Sequence, residues 1–296
     1  MAEFFGDQAA GLRRLFGRNQ FRVVTFAAGC VGVGKTITVS NLAVALARLG
    51  REVLVIDENS GHDDLAGQFG TVSRYDLLNV VHRECRLSDV LLHPCPGVSL
   101  LPAARAVKRI GRLSLPQQQA LLDGISELDR PVDVILVDAA IDHLAGLSPL
   151  GLASQETLIV LSASGNSITE AYALIKKLSM GYARRHFRIL INKVRQQQDA
   201  LAIFDNIASL TAERRIAQLD FAGAIPLDDA LRQADKVCQP VLLFQPESPA
   251  SHALRELASG LLYWPVVSDE EASVQQYMQQ LLHLSQRLTP GTLRAV

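Results

Sequence analysis

The stretch FRVVTFAAGCVGVGKTITVSN, residues 21 to 41, constrains this chain more than any other. A β-rich apolar run, Phe21 to Ala27, leads through three glycines to Lys35-Thr36 at the head of a helical pattern. Gly29, Gly34, Lys35 and Thr36 satisfy G-x-x-x-x-G-K-[ST], a phosphate-binding loop when it joins a strand to a helix. Gly29, Gly32 and Gly34 let the backbone wrap an anion closely, with N–H groups turned inward. Lys35 brings positive charge to the β- and γ-phosphates, and the Thr36 hydroxyl is a Mg²⁺ ligand type. A helix over Thr36 to Leu49 would aim its N-terminal dipole at the same anion. The competing reading is a glycine-rich strand–helix turn that binds nothing.

Further apolar strands are expected at Arg51–Asp57, Val98–Leu101, Val132–Asp138, Thr157–Ser162, Phe187–Asn192 and Leu219–Ile225. Between and after them the spacing predicts helices over Tyr75–His82, Leu113–Leu128, 167–186, 198–214, Asp228–Lys236 and 249–262, with Ser88 as the N-cap of another. The segment ENSGHDDLAGQFG reads as a polar loop. Continuous apolar strands alternating with helices predict an α/β fold, a doubly wound, mostly parallel sheet covered on both faces. Ligands of such sheets bind beyond the carboxyl ends of the strands, where the 29–36 loop, Asp57, Asp138 and Asn192 all fall. The two aspartates are read as holding Mg²⁺ through water, the competing reading being helix caps. His62, Asp63, Asp64, Asp142 and His143 lack metal-ligand spacing and read as solvated loop residues.

A length of 296 residues, 48% hydrophobic and 20% charged, is enough for one large α/β domain. A net charge of −1 gives no bulk attraction to nucleic acid, so no specific nucleic-acid contact is expected. Cys30, Cys85, Cys95 and Cys238 form no metal-like or C-x-x-C spacing, which suits free thiols in a cytoplasmic protein. Before the domain (21–264), residues 1–20 carry Phe5, Leu12, Leu15 and Phe16 at helical spacing, with Arg13, Arg14 and Arg18 elsewhere on the wheel. They read as a partner-docking helix, the competing readings being a frayed tail or a helix folded onto the domain. Residues 265–296 read as a linker and an amphipathic helix with Val274, Tyr277, Met278, Leu281, Leu282 and Leu288 on one stripe. Its glutamine-rich polar face, with only His283 and Arg287 basic, suits packing on a protein surface; a membrane surface is the alternative.

AGCVGVGKTITVSNLAVALARLG resembles the deviant phosphate loop of the MinD/ParA ATPases, whose usual form is GKGGVGKT. VLVIDEN, VDVILVDAA, SITEAYALIKKLS, LINKV and SPASHALRELA continue the likeness in family order, over residues 21 to 264. Within the group the chain is similar to the FlhG/FleN type, regulators of flagellar number and placement. Asp7-Gln8-Ala9-Ala10-Gly11-Leu12-Arg13 resembles the DQAxxLR element of that type, which implies that Asp7, Gln8, Leu12 and Arg13 engage an FlhF-like GTPase and stimulate it.

The resemblance further implies ATP and Mg²⁺ as cofactors. Gly29, Cys30, Val31, Gly32, Val33, Gly34, Lys35, Thr36 and Ile37 would hold the phosphates, and Thr36, Asp57 and Asp138 the metal. Asn192 would contact adenine. ATP-dependent homodimers are implied too, as are a flagellar switch, basal-body or transcription-activator partner and a peripheral place at the inner face of the cell membrane.

Three positions depart from the family pattern. The signature lysine falls on Cys30, the water-positioning aspartate on Asn59, and the glycine that approaches the γ-phosphate on Asp142. Lys35 would remain as a catalytic group. Losing one positioned group commonly costs ~10²–10³ in rate, so slow or lost ATP hydrolysis is expected. A ParA-like segregation ATPase, a metabolic ATP-dependent enzyme and a nucleotide-free scaffold are the alternatives.

Overall fold

The computed structural model describes residues 21–61, 64–128, 131–265 and 273–287. In chain order the elements are β1 (Arg22–Ala27), α1 (Lys35–Arg48), β2 (Val53–Asp57), α2 (Leu65–Gln68), α3 (Leu77–Val81), α4 (Leu87–Val90), β3 (Leu92–Cys95) and β4 (Val98–Pro102). A single 3₁₀ turn at Ile110–Arg112 precedes α5 (Leu115–Ser126), β5 (Val134–Asp138), α6 (Pro149–Leu152), β6 (Glu156–Ser162) and α7 (Gly165–Tyr182). The chain continues through β7 (His186–Val194), α8 (Gln197–Glu213), β8 (Gln218–Pro226), α9 (Asp229–Lys236), α10 (Val241–Phe244), α11 (Pro249–Tyr263) and α12 (Val274–Arg287).

The eight strands form one sheet in the order β3-β4-β2-β5-β1-β6-β7-β8, parallel except for β3. β1, β2 and β5 are buried along their whole length, as expected of strands covered on both faces. α1 and α11 pack on one face over Val24, Phe26, Val55 and Leu136. On the other face, α3, α5 and α12 enclose Val23, Leu54, Ile56 and Ile135. The parallel doubly wound sheet expected from the alternating pattern is the observed architecture.

Several local readings are corrected. Ser88 does not cap α4; the Asp89 carboxylate accepts the Arg86 N–H at 2.9 Å, which starts the turn two residues earlier. The polar loop after β2 contains a helical turn, α2, because Asp64 accepts the Gly67 N–H at 2.7 Å and Leu65 and Ala66 bury themselves. β3 was unforeseen: its sequence is LHPC, and proline enters a sheet only where an N–H can go unused, as on an edge strand.

The C-terminal helix settles on the domain itself. Tyr277, Met278, Leu281 and Leu282 are buried with the α5 side of the core, and the Tyr277 hydroxyl donates to the Leu150 carbonyl at 2.8 Å. Fully burying one such side chain contributes about 1.5–3 kcal/mol, so this face is committed to the protein interior. The stripe on which a membrane reading rested is therefore covered, while Leu288 lies outside the described residues. Among the described residues no helix is long and apolar enough to cross a membrane.

Candidate functional site

β1 delivers the loop at 28–34, and α1 begins immediately after it with Gly34 as N-cap in the left-handed region, φ 87°. Gly32 also has positive φ, 78°, with open space where a side chain would project. These two glycines fit the expected cradle, since an L-side chain disfavours that backbone. Gly29 is glycine for another reason. A Cβ there would lie 2.4 Å from the Glu170 backbone, so the close approach of α7, not the phosphate turn, forbids a side chain.

Both polar side chains of the motif converge on one carboxylate. Lys35 Nζ pairs with Asp138 Oδ1, and Thr36 Oγ1 donates to Asp138 Oδ2 at 2.8 Å. Asp138 is wholly buried and Lys35 nearly so. In register beside Asp138 across the β2–β5 ladder stands Asp57. Its carboxylate accepts the N–H groups of Leu65 at 2.7 Å and Asn59 at 2.9 Å. Burial, then the neighbouring Asp138 charge, push the Asp57 pKa up to about 7 against those hydrogen bonds.

Asn59 lies between the two aspartates. Its amide nitrogen is 3.1 Å from Asp57 Oδ1, 3.0 Å from the Asp138 carbonyl and 2.9 Å from Asp138 Oδ2. Only a donor is compatible with three acceptors, so Asn59 acts here as an amide clamp. Asn192 braces the loop: Nδ2 donates to the Val33 carbonyl at 2.8 Å, while Lys193 Nζ reaches the Gly32 carbonyl at 2.6 Å. Cys30 is half-buried against the core below the loop, whereas Val31 is exposed. Asp142 closes its own turn, accepting the N–H groups of Leu144 and Ala145 at 2.8 Å.

One residue of this region had no sequence signal beyond following a strand. Glu58 is buried; it accepts the Ala140 N–H at 3.0 Å and the Ser148 hydroxyl, tying the loop after β2 to both ends of the loop after β5. Burial pushes its pKa up to about 7, with Ser148, Ala140 and Lys35 pulling the other way. Asp7, Gln8, Leu12 and Arg13 lie outside the described residues.

A family model described as the CobQ/CobB/MinD/ParA nucleotide binding domain matches residues 24–241. The chain belongs to this nucleotide-binding family. Among curated relatives, the antiactivator FleN of Pseudomonas aeruginosa is 30% identical over 271 residues, covering 92% of this chain and 97% of FleN. The septum site-determining protein MinD of Bacillus subtilis is 24% identical over 81% of this chain and 87% of its own length. The fold matches MinD in the MinC:MinD cell division complex of Aquifex aeolicus with TM-score 0.64, at 24% identity, covering 84% of this chain and 99% of that one. MinD of Pyrococcus horikoshii complexed with Mg-ADP matches with TM-score 0.61 at 21% identity, over 81% of this chain and 96% of its own.

The site fits the ligands that this nucleotide-binding family implies. Gly32 leaves open space for an anion against backbone N–H groups, while a Cβ at Gly34 would meet the Asn192 amide at 2.3 Å, so only glycine lets Asn192 close against the start of α1. Thr36, Asp57 and Asp138 are hard oxygen donors of the kind that hold Mg²⁺ directly or through water.

Proposed function

We propose that this chain is an ATP-binding regulator of the FleN type, which controls flagellar number or placement through nucleotide-dependent partner binding. The observation that carries the reading is the convergence of Lys35 and Thr36 on Asp138, in register with Asp57 on the neighbouring strand, beneath a glycine cradle. Mg²⁺ would neutralise phosphate charge there. Lys35 is then the cation for the β- and γ-phosphates, exchanging Asp138 for phosphate oxygens. Thr36, Asp57 and Asp138 would hold the metal or its waters and Gly29 to Ile37 would line the phosphates, with Asn192, whose amide bonds the Val33 carbonyl and the Lys193 N–H, as the proposed adenine contact. Calorimetry with Mg²⁺ and ATP tests this: micromolar binding is expected in the wild type and loss in Lys35→Ala. Equal affinity in both proteins would overturn it.

Hydrolysis is expected to be slow. Cys30 brings no second cation, Asn59 is occupied as a clamp, and Asp142 places a carboxylate where the family has glycine. Phosphate release at the pace of an ordinary MinD-type ATPase would contradict this. Asp7, Gln8, Leu12 and Arg13 are the proposed contact for an FlhF-like GTPase. The likeness to an antiactivator favours a flagellar transcription activator as a further partner. ATP-bound pairing of two subunits is part of the same proposal, measured by sedimentation with a non-hydrolysable analogue.

A further inference from the structure

A cavity of about 660 Å³ opens at the opposite end of the sheet from the phosphate loop, beneath the amino ends of β2, β4 and β5. Leu87, Leu128 and Val132 give it an apolar wall, Glu52 and Glu127 add two carboxylates, and Cys95 lies within it. Nothing in the nucleotide reading uses this end of the sheet.

The described chain begins beside that cavity. The Arg22 N–H donates to the Asp133 carbonyl at 3.1 Å, and the Asp133 N–H to the Glu52 carbonyl at 2.8 Å. Residues 21, 132 and 52 therefore sit on three neighbouring chains. At about 4.8 Å per strand, Phe21 is roughly 5 Å from the Val132 chain and roughly 10 Å from the Glu52 chain. Twenty residues precede Phe21, and Phe5, Leu12, Leu15 and Phe16 fall on one helical stripe. A helix from Phe5 to Phe16 would be about 18 Å long. The four residues Gly17 to Gln20 span up to about 14 Å, enough to turn such a helix back under the strands.

Charge matches as well. The segment carries Arg13, Arg14 and Arg18, and the cavity carries Glu52 and Glu127. We propose that this cavity receives the chain's own N-terminal segment, its Leu12–Leu15–Phe16 stripe on the Leu87–Leu128–Val132 wall and its arginines against Glu52 and Glu127. The regulatory meaning rests on the reading of residues 7–13 as the GTPase contact: a docked segment withholds Leu12 and Arg13, so a partner must compete with the cavity for them.

Native Cys95 supplies the test. In the full chain, Leu15→Cys treated with a short bismaleimide is expected to give an intramolecular 15–95 link by peptide mass spectrometry. The link is expected to be lost when Glu52 and Glu127 are both changed to arginine. Linkage spread over Cys30 and Cys238, linkage indifferent to that charge reversal, or linkage between differently isotope-labelled copies would each overturn the proposal. Should Leu15→Cys fail to fold, Arg18→Cys reads the same neighbourhood from the polar side of the segment. A parallel pull-down with an FlhF-type GTPase separates the two ideas. Binding without the link refutes the docking alone, and a failure to bind even when Glu52 and Glu127 are both changed to arginine, which frees the segment, refutes the partner reading alone.

Discussion

Asp57 and Asp138 end adjacent parallel strands in register, two carboxylates side by side with one amide, that of Asn59, bonded to both. Carboxyl groups so placed are held together by donors, not by solvent. The pH response follows. Asp57 and the adjacent Glu58 keep their protons to about pH 7 when folded. An unfolded carboxyl releases its proton near pH 4, so between these limits the folded state binds more protons. The stabilisation is full below about pH 4 and is lost as pH rises through about 7. The melting temperature of the ligand-free protein is expected to fall from pH 5 to pH 8, less steeply in Glu58→Gln. A melting temperature that rises over this range would refute the assignment.

Asn59→Asp keeps the size of the side chain but removes the donor. It leaves three carboxylates together and the Asp138 oxygens with fewer partners. Losing a buried donor of this kind costs about 1–3 kcal/mol, more when its acceptors are charged. A lowered urea midpoint in the absence of metal, partly recovered with Mg²⁺, is the expected result.

Gly29→Ala and Gly32→Ala should part company. At position 29 the new Cβ meets backbone at 2.4 Å, which no side-chain rotation relieves, so α7 must move. Overpacking of this sort costs typically about 1–3 kcal/mol, occasionally more. At position 32 there is space but the wrong φ, a strain on the order of 1–2 kcal/mol. Circular dichroism melts rank the two, while ATP affinity is expected to fall for Gly32→Ala even where the fold persists.

Leu281→Ala tests α12. The side chain is fully buried with Met278 and the α5 side of the core, so a loss of about 2–5 kcal/mol is expected. Chemical denaturation reads it. No loss of stability would mean that the helix is not seated on the domain in solution.

Much of this was legible in the sequence, because buried parallel strands announce themselves as unbroken apolar runs. VLVID and VILVD place their aspartates at strand ends, and the phosphate-loop spacing identifies the first crossover. What escaped depends on contacts between distant segments. Gly29 reads as a phosphate glycine until the Glu170 backbone is brought against it. Glu58 is one more polar residue after a strand until Ala140 and Ser148 fold over it. The α12 stripe was plain, but periodicity does not say which surface it covers. β3 was hidden by its proline.

The two edges of the sheet carry a consequence for assembly. On one side β3 is four residues long, contains Pro94, is followed by Pro96 and slips register against β4. On the other, β8 breaks step with β7 around Gly223, which sits at φ 144°. Neither border offers the long flat ladder on which a further strand could template itself. Copies of this protein are thus steered away from edge-to-edge polymerisation, and any meeting between them falls to the loops and helices around the sheet.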